Sequence, residues 1–108
     1  MPKEELKARL EAYLTLPNLI AWLKIKPEDE GYNYWVSEDC VLTQFVQAGG
    51  PEFANLLVGS KAVYDPEASE DGDAIIDLPK GWDRAAGTII WTFGSMLKRV
   101  EDLYAENS

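Results

Sequence analysis

Carboxylates are the main chemistry this chain has to offer. Its 108 residues include 19 Asp and Glu, no histidine and a single cysteine, Cys40. Without histidine there is no Ser-His-Asp or Cys-His catalysis, no imidazole base and no His-containing zinc site. One cysteine makes neither a thiolate zinc site, nor a Cys-x-x-Cys redox pair, nor an intrachain disulfide. Asp39 precedes Cys40, and its negative charge raises a thiol pKa instead of activating the thiol. Cys40 is therefore read as a small buried residue on a helix. No Walker loop is present, and no G-x-G-x-x-G follows a strand; Gly49-Gly50-Pro51 lacks the Lys and Ser/Thr that a phosphate loop needs. No cofactor is expected.

Two carboxylate chemistries remain. A glycosidase-type mechanism needs two acids about 5–10 Å apart across a cleft, and no acid in the sequence stands out from a surface population. A calcium loop of the EF-hand kind needs ligands at positions 1, 3, 5 and 12 around a Gly at 6. With Gly72 in that place, Glu67, Ser69 and Asp71 take the first three positions, but the twelfth is Leu78. The bidentate acid is missing, so neither an enzyme nor a dedicated metal site is expected.

What the acids do share is their place in the chain. Residues 27–79 hold twelve acids and one base, Lys61, for a charge of −11, whereas the two flanks hold seven acids and nine bases. The chain as a whole carries −9. Such a balance disfavours nucleic acid as a direct ligand, since phosphate binding depends on Lys and Arg releasing counterions. It disfavours an anionic membrane for the same reason, and it favours a basic protein surface. Three clusters are candidates for partner binding. Glu28, Asp29 and Glu30 precede Tyr32, Tyr34 and Trp35; Glu38 and Asp39 open a helix; Asp65, Glu67, Glu70, Asp71 and Asp73 lie in a polar stretch. Carboxylates beside aromatics suit an Arg-rich interface, where acids pair with the guanidinium and rings stack on it. The plainer alternative is a solvated acidic face that keeps the protein soluble, with Trp35 and at least one tyrosine claimed by the core.

Periodicity supplies the elements that must hold these acids. Leu6, Leu10, Tyr13 and Leu14 fall at helical spacing, giving a first helix over about 3–15. Pro17 opens a second, with Leu19, Ile20 and Leu23 on its apolar face, and Pro27 bars its continuation. Residues 27–34 read as an acidic loop turning at Gly31. Ser37 or Asp39 caps a third helix carrying Val41, Leu42, Phe45 and Val46, which stops at Gly49. Pro51 opens a further short helix that includes Leu56 and Leu57. Residues 61–64 and 74–78 read as two strands of a hairpin whose tip is the acidic stretch 65–73. From Trp82 to Tyr104 one apolar stripe runs for about six turns. It favours a single long helix started by Asp83, with Gly87 and Gly94 admitting another element; a break near Gly87 with a restart at Thr92 is the alternative. The expected fold is one α+β domain over 1–108, mostly helical, with about four helices, a two-stranded hairpin and a long C-terminal helix; an all-α fold is the competitor.

The charged start, Met1 to Leu10, lacks the apolar run of a signal peptide. No apolar stretch approaches the ~20 residues that span a bilayer, and the absence of disulfides suits a reducing compartment. The chain is read as cytoplasmic. In general character it resembles phage-encoded anti-CRISPR proteins, other DNA mimics and the bacterial immunity proteins that neutralise nucleases: small, acidic, single-domain and free of catalytic motifs. The resemblance carries over no motif and no functional residue. It implies an inhibitor occupying the nucleic-acid-binding surface of a basic partner. The other reading is a helical interaction module or homodimer, in which Gly87 and Gly94 permit close packing and Trp91, off the main stripe, is exposed.

Overall fold

The computed structural model describes residues 3–36, 39–59, 62–66, 74–88 and 90–107. The fold is α+β and mostly helical, with five α-helices and a small antiparallel sheet among the described residues. Helix α1 spans Lys3–Tyr13 and α2 spans Leu16–Lys24. Thr15 caps α2, its Oγ1 accepting from the Asn18 amide at 3.4 Å, and Pro17 sits in the first turn. Asn18 Nδ2 reaches back to the Tyr13 carbonyl at 3.0 Å and ties the two helices together. Helix α3, Val41–Ala48, carries the expected apolar residues into the core. Its cap is Cys40, with no side-chain capping bond. Asp39 does not cap α3 because its carboxylate accepts from the Asn33 amide at 3.0 Å instead; Ser37 lies outside the described residues.

Phe45 of α3 is the hub of an aromatic core. Tyr13 stacks on it with centroids 4.5 Å apart, and Trp22 and Trp82 meet it at 5.6 and 5.9 Å. The edge of Trp22 then meets Phe93 at 87°, an arrangement the ring quadrupole favours. Burial raises the Tyr13 hydroxyl pKa to about 12, and that hydroxyl donates to the Phe45 carbonyl at 2.7 Å.

The sheet has three strands where the sequence predicts two. β1 (Leu57–Val58), β2 (Ala62–Tyr64) and β3 (Ala74–Asp77) pair in that order, antiparallel throughout. The helix expected after Pro51 shrinks to a 3-10 turn at Pro51–Phe53, and Leu57 enters the added strand. A tertiary contact explains the extra strand: the buried Thr43 hydroxyl of α3 accepts from the Val58 amide at 2.9 Å. Val63 pairs with Ile76 and Tyr64 with Ala74, so β3 takes an extra residue at that step.

A long C-terminal helix is present, but the apolar stripe does not run through it as one continuous helix. Helix α4 covers Trp82–Gly87 and α5 covers Phe93–Asn107. Thr92 restarts the helix as its cap, accepting from the Ser95 amide at 3.2 Å. Asp83 lies inside the first turn of α4, which Gly81 precedes at φ 90°. Two causes act at the break. Thr88, Ile89, Ile90 and Thr92 are β-branched and weak helix formers. The four last carbonyls of α4 also find partners outside the helix. Arg84 O accepts from Thr88 Oγ1 at 2.7 Å, Ala85 O from Arg99 Nε at 2.6 Å, Ala86 O from the Tyr32 hydroxyl at 2.7 Å, and Gly87 O from Trp91 Nε1 at 3.2 Å. A helix end satisfied in this way does not need to continue. Gly87 and Gly94 do not open a surface to another molecule. The Tyr34 ring lies 2.9 Å from where a Gly87 Cβ would stand, and the Glu28 carbonyl 2.9 Å from that of Gly94.

Among the described residues, no helix is long and apolar enough to cross a membrane, and no three metal-ligating side chains gather.

Arg99 also donates to Ile90 O at 3.0 Å and to the Tyr32 hydroxyl at 3.2 Å. Replacing it with Met, which keeps the apolar stem but no donors, is expected to cost roughly 2–4 kcal/mol in urea unfolding, because carbonyls lose their partners. Tyr32, like Tyr13, has its hydroxyl pKa pushed up to about 12 from the ordinary 10.0, by burial and against the pull of Arg99. Below pH 10 these hydroxyls are protonated whether the chain is folded or not. Between about 10 and 12 the unfolded chain sheds protons that the folded chain keeps, so stability should fall with rising pH across that window. Unfolding midpoints measured through the alkaline range check this.

Candidate functional site

The loop between α2 and α3 is the part of the chain where acids and aromatics meet. It leaves α2 at Ile25; Lys26 follows, its ammonium 5.0 Å from the Trp22 ring. The Glu30 amide closes a turn onto the Pro27 carbonyl at 3.3 Å. The backbone of this turn serves the start of α5: Glu28 O accepts from the Gly94 amide at 2.9 Å and Glu30 O from the Phe93 amide at 3.0 Å. Gly31 bridges Thr92, and the Tyr32 amide donates to Trp91 O at 3.1 Å. Glu28, Asp29 and Glu30 are thereby fixed at the positive end of α5, where negative charge is favourable. All three are exposed and form no ion pair with any described residue.

The second half of the loop is a tight knot. Asn33 O accepts from the Val36 amide, Asn33 Oδ1 from the Trp35 amide at 3.0 Å, and the Asp39 carboxylate from the Asn33 amide. Tyr32 goes inward. Tyr34 lies half-buried, its hydroxyl donating to Asp83 Oδ1 at 2.7 Å, and its pKa is pushed up to about 12 by burial first and this bond second. Trp35 goes outward and is 79% exposed. The core therefore claims Tyr32 but not Trp35, contrary to the sequence expectation, because Asn33 holds the turn that projects the indole. Trp91 is half-buried, not exposed, since its Nε1 is held by Gly87 O. Tyr34, Trp35 and Trp91 form a triangle with centroids 5.4–6.0 Å apart. Ile90, 60% exposed, adjoins Trp91 in the chain, and exposed Val36 adjoins Trp35.

Of the acids singled out from the sequence, Glu28, Asp29, Glu30 and Asp39 belong to this one loop, and Asp39 is exposed. Asp65 does not join them: it is half-buried at the end of β2. Glu38, Glu67, Glu70, Asp71 and Asp73 lie outside the described residues. Asp83, tied to Tyr34, Ile90 and the knot at Asn33 were not singled out beforehand. The β-branched run from Thr88 was the available signal for Ile90; nothing in the sequence pairs Asp83 with Tyr34.

Cys40 is buried, and burial, ahead of every other cause, pushes its thiol pKa up. A groove of about 550 Å³ lies between α4 and α5, with Lys80, Arg84 and Arg99 against Asp102 and Glu106. Its two acids are exposed and one helical turn apart on α5, and Arg99 is engaged with carbonyls.

No protein-family model, curated protein or solved structure matches this chain.

At Gly94 the acidic turn and α5 approach too closely for a side chain. Gly94→Ala is expected to destabilise the protein by about 1–3 kcal/mol in urea unfolding, although Ala in a helix ordinarily gains ~1 kcal/mol over Gly.

Proposed function

We propose that the protein works by binding and not by catalysis, as an inhibitor that occupies the basic, nucleic-acid-binding surface of a partner protein. One observation carries this reading: Glu28, Asp29, Glu30 and Asp39 are exposed on a single loop, with no described cation paired to them, and the same loop carries the exposed Trp35. Among the described residues no Lys or Arg is paired to this charge, and the start of α5 offers it only the partial charge of a helix end. Arg9, by contrast, serves Glu5 and Glu52, at 3.2 and 3.7 Å. Carboxylates held on a fixed backbone present charge to a basic surface much as phosphates do, and they steer its approach. A cytoplasmic setting, where Cys40 stays reduced, belongs to the same reading. The self-associating module rested on Gly87 and Gly94 as contact points, and residues of this chain already cover both.

The test is capture of partners by the immobilised protein at low and high ionic strength, followed by competition with duplex DNA. The expected partners are basic nucleic-acid-binding proteins, released by salt and displaced by DNA. The triple variant E28Q/D29N/E30Q should bind them at least roughly tenfold more weakly, with a flatter salt dependence. Partners that ignore both salt and DNA would contradict the reading.

A further inference from the structure

The exposed apolar residues of this loop call for an occupant that carboxylates alone do not specify. Trp35 is 79% exposed, and it meets Tyr34 and Trp91 edge-on, at 70° and 73°. A ring so exposed keeps most of its indole surface open to a partner. An open indole of this kind is unusual on a monomer surface and marks an interaction site. The backbone under the indole is held, since the Trp35 amide donates to Asn33 Oδ1, and the ring has Trp91 beside it, whose own Nε1 donates to the Gly87 carbonyl.

We infer that Trp35 is the anchor of the interface and that it takes an arginine guanidinium from the partner, stacked on the indole and paired by carboxylates of the same loop. The inference rests on the basic-partner reading above and adds the chemical identity of the contacted group. Three candidates for the occupant separate on charge and shape. A second copy of this chain, docked by a two-fold axis, would bring Glu28, Asp29, Glu30 and Asp39 against their own images, which charge repulsion opposes. A purely apolar partner would bury those four acids unpaired. A cation fits, and among cations the planar guanidinium both stacks on an aromatic face and engages a carboxylate through two parallel hydrogen bonds, whereas an ammonium does neither as well.

The probes are oligoarginine and oligolysine peptides of equal length, titrated into the intact protein. Affinity is read by calorimetry, and the Trp35 indole N–H resonance, assigned with W35F, is followed by NMR. Oligoarginine should bind about three- to fivefold more tightly than oligolysine and shift the Trp35 indole signal. Trp35→Ala should remove that preference and leave oligolysine affinity within about twofold of the original. Because the side chain is exposed, this variant should keep its unfolding midpoint.

Carboxylates by themselves favour guanidinium, so a preference that survives Trp35→Ala overturns the inference. Equal binding of the two peptides with a silent indole also overturns it; if E28Q/D29N/E30Q then weakens both, the basic-partner reading still stands. Binding of neither peptide overturns both readings. A dimer in sedimentation that Trp35→Ala dissociates assigns the patch to a second copy and overturns the inference as well.

Discussion

The end of α4 is the constraint on which the rest of this structure depends. The last four carbonyls of α4 accept from the side chains of Thr88, Arg99, Tyr32 and Trp91, and Arg84 O also keeps its helical bond from the Thr88 amide. Each bond is modest in net stability, but an unpaired carbonyl at this depth would cost about 1–3 kcal/mol. Arg99 adds a positive charge at the negative end of a helix. The same contacts that stop α4 also fix the three segments that meet there: the loop after α2 through Tyr32, the connection through Trp91, and α5 through Arg99.

The acidic loop inherits its position from that junction. Tyr32 pins its middle to α4, and the carbonyls of Glu28 and Glu30 receive the first amides of α5. A backbone held at both points cannot relax its acids away from one another. The charge density is therefore a property of the folded chain and not an average over a mobile segment. The aromatic triangle follows from the same bonds, because Trp91 is turned by Gly87 O and Tyr34 by Asp83. Such a surface is costly for a lone molecule, with like charges close together and an indole in water. In the proposed function, a cationic partner surface covering it would recover those costs.

Periodicity made most of the helical scaffold legible. α1, α2 and α3 lie within a few residues of where Leu, Phe and Trp spacing and the prolines put them, since one face of each is buried. Two of the three strands were legible as well, on Ala62–Tyr64 and Ala74–Asp77. β1 was not, because Leu56 and Leu57 continue an apolar pattern that fits a helix; the pairing of Leu57 and Val58 with β2, and the Thr43 hydroxyl on the Val58 amide, decide for the strand. The C-terminal stripe was misleading for a related reason. Trp82 to Tyr104 keeps one apolar register across the break, since α4 and α5 face the same core, and periodicity reports facing and not continuity.

Composition by itself determined the chemistry available here. With no histidine and one cysteine, carboxylates are the dominant reactive groups, and their crowding between residues 27 and 79 is written in the chain. Tertiary structure decided which of them stand together and what stands beside them. Trp35 looked like core material because large aromatics usually are; Asn33, a single polar residue two positions earlier, turns it to solvent. Asp83 meets Tyr34 across 49 positions and Arg99 meets Tyr32 across 67. Separations of that size leave no local pattern, because such pairs form only once packing has brought distant segments within hydrogen-bonding range.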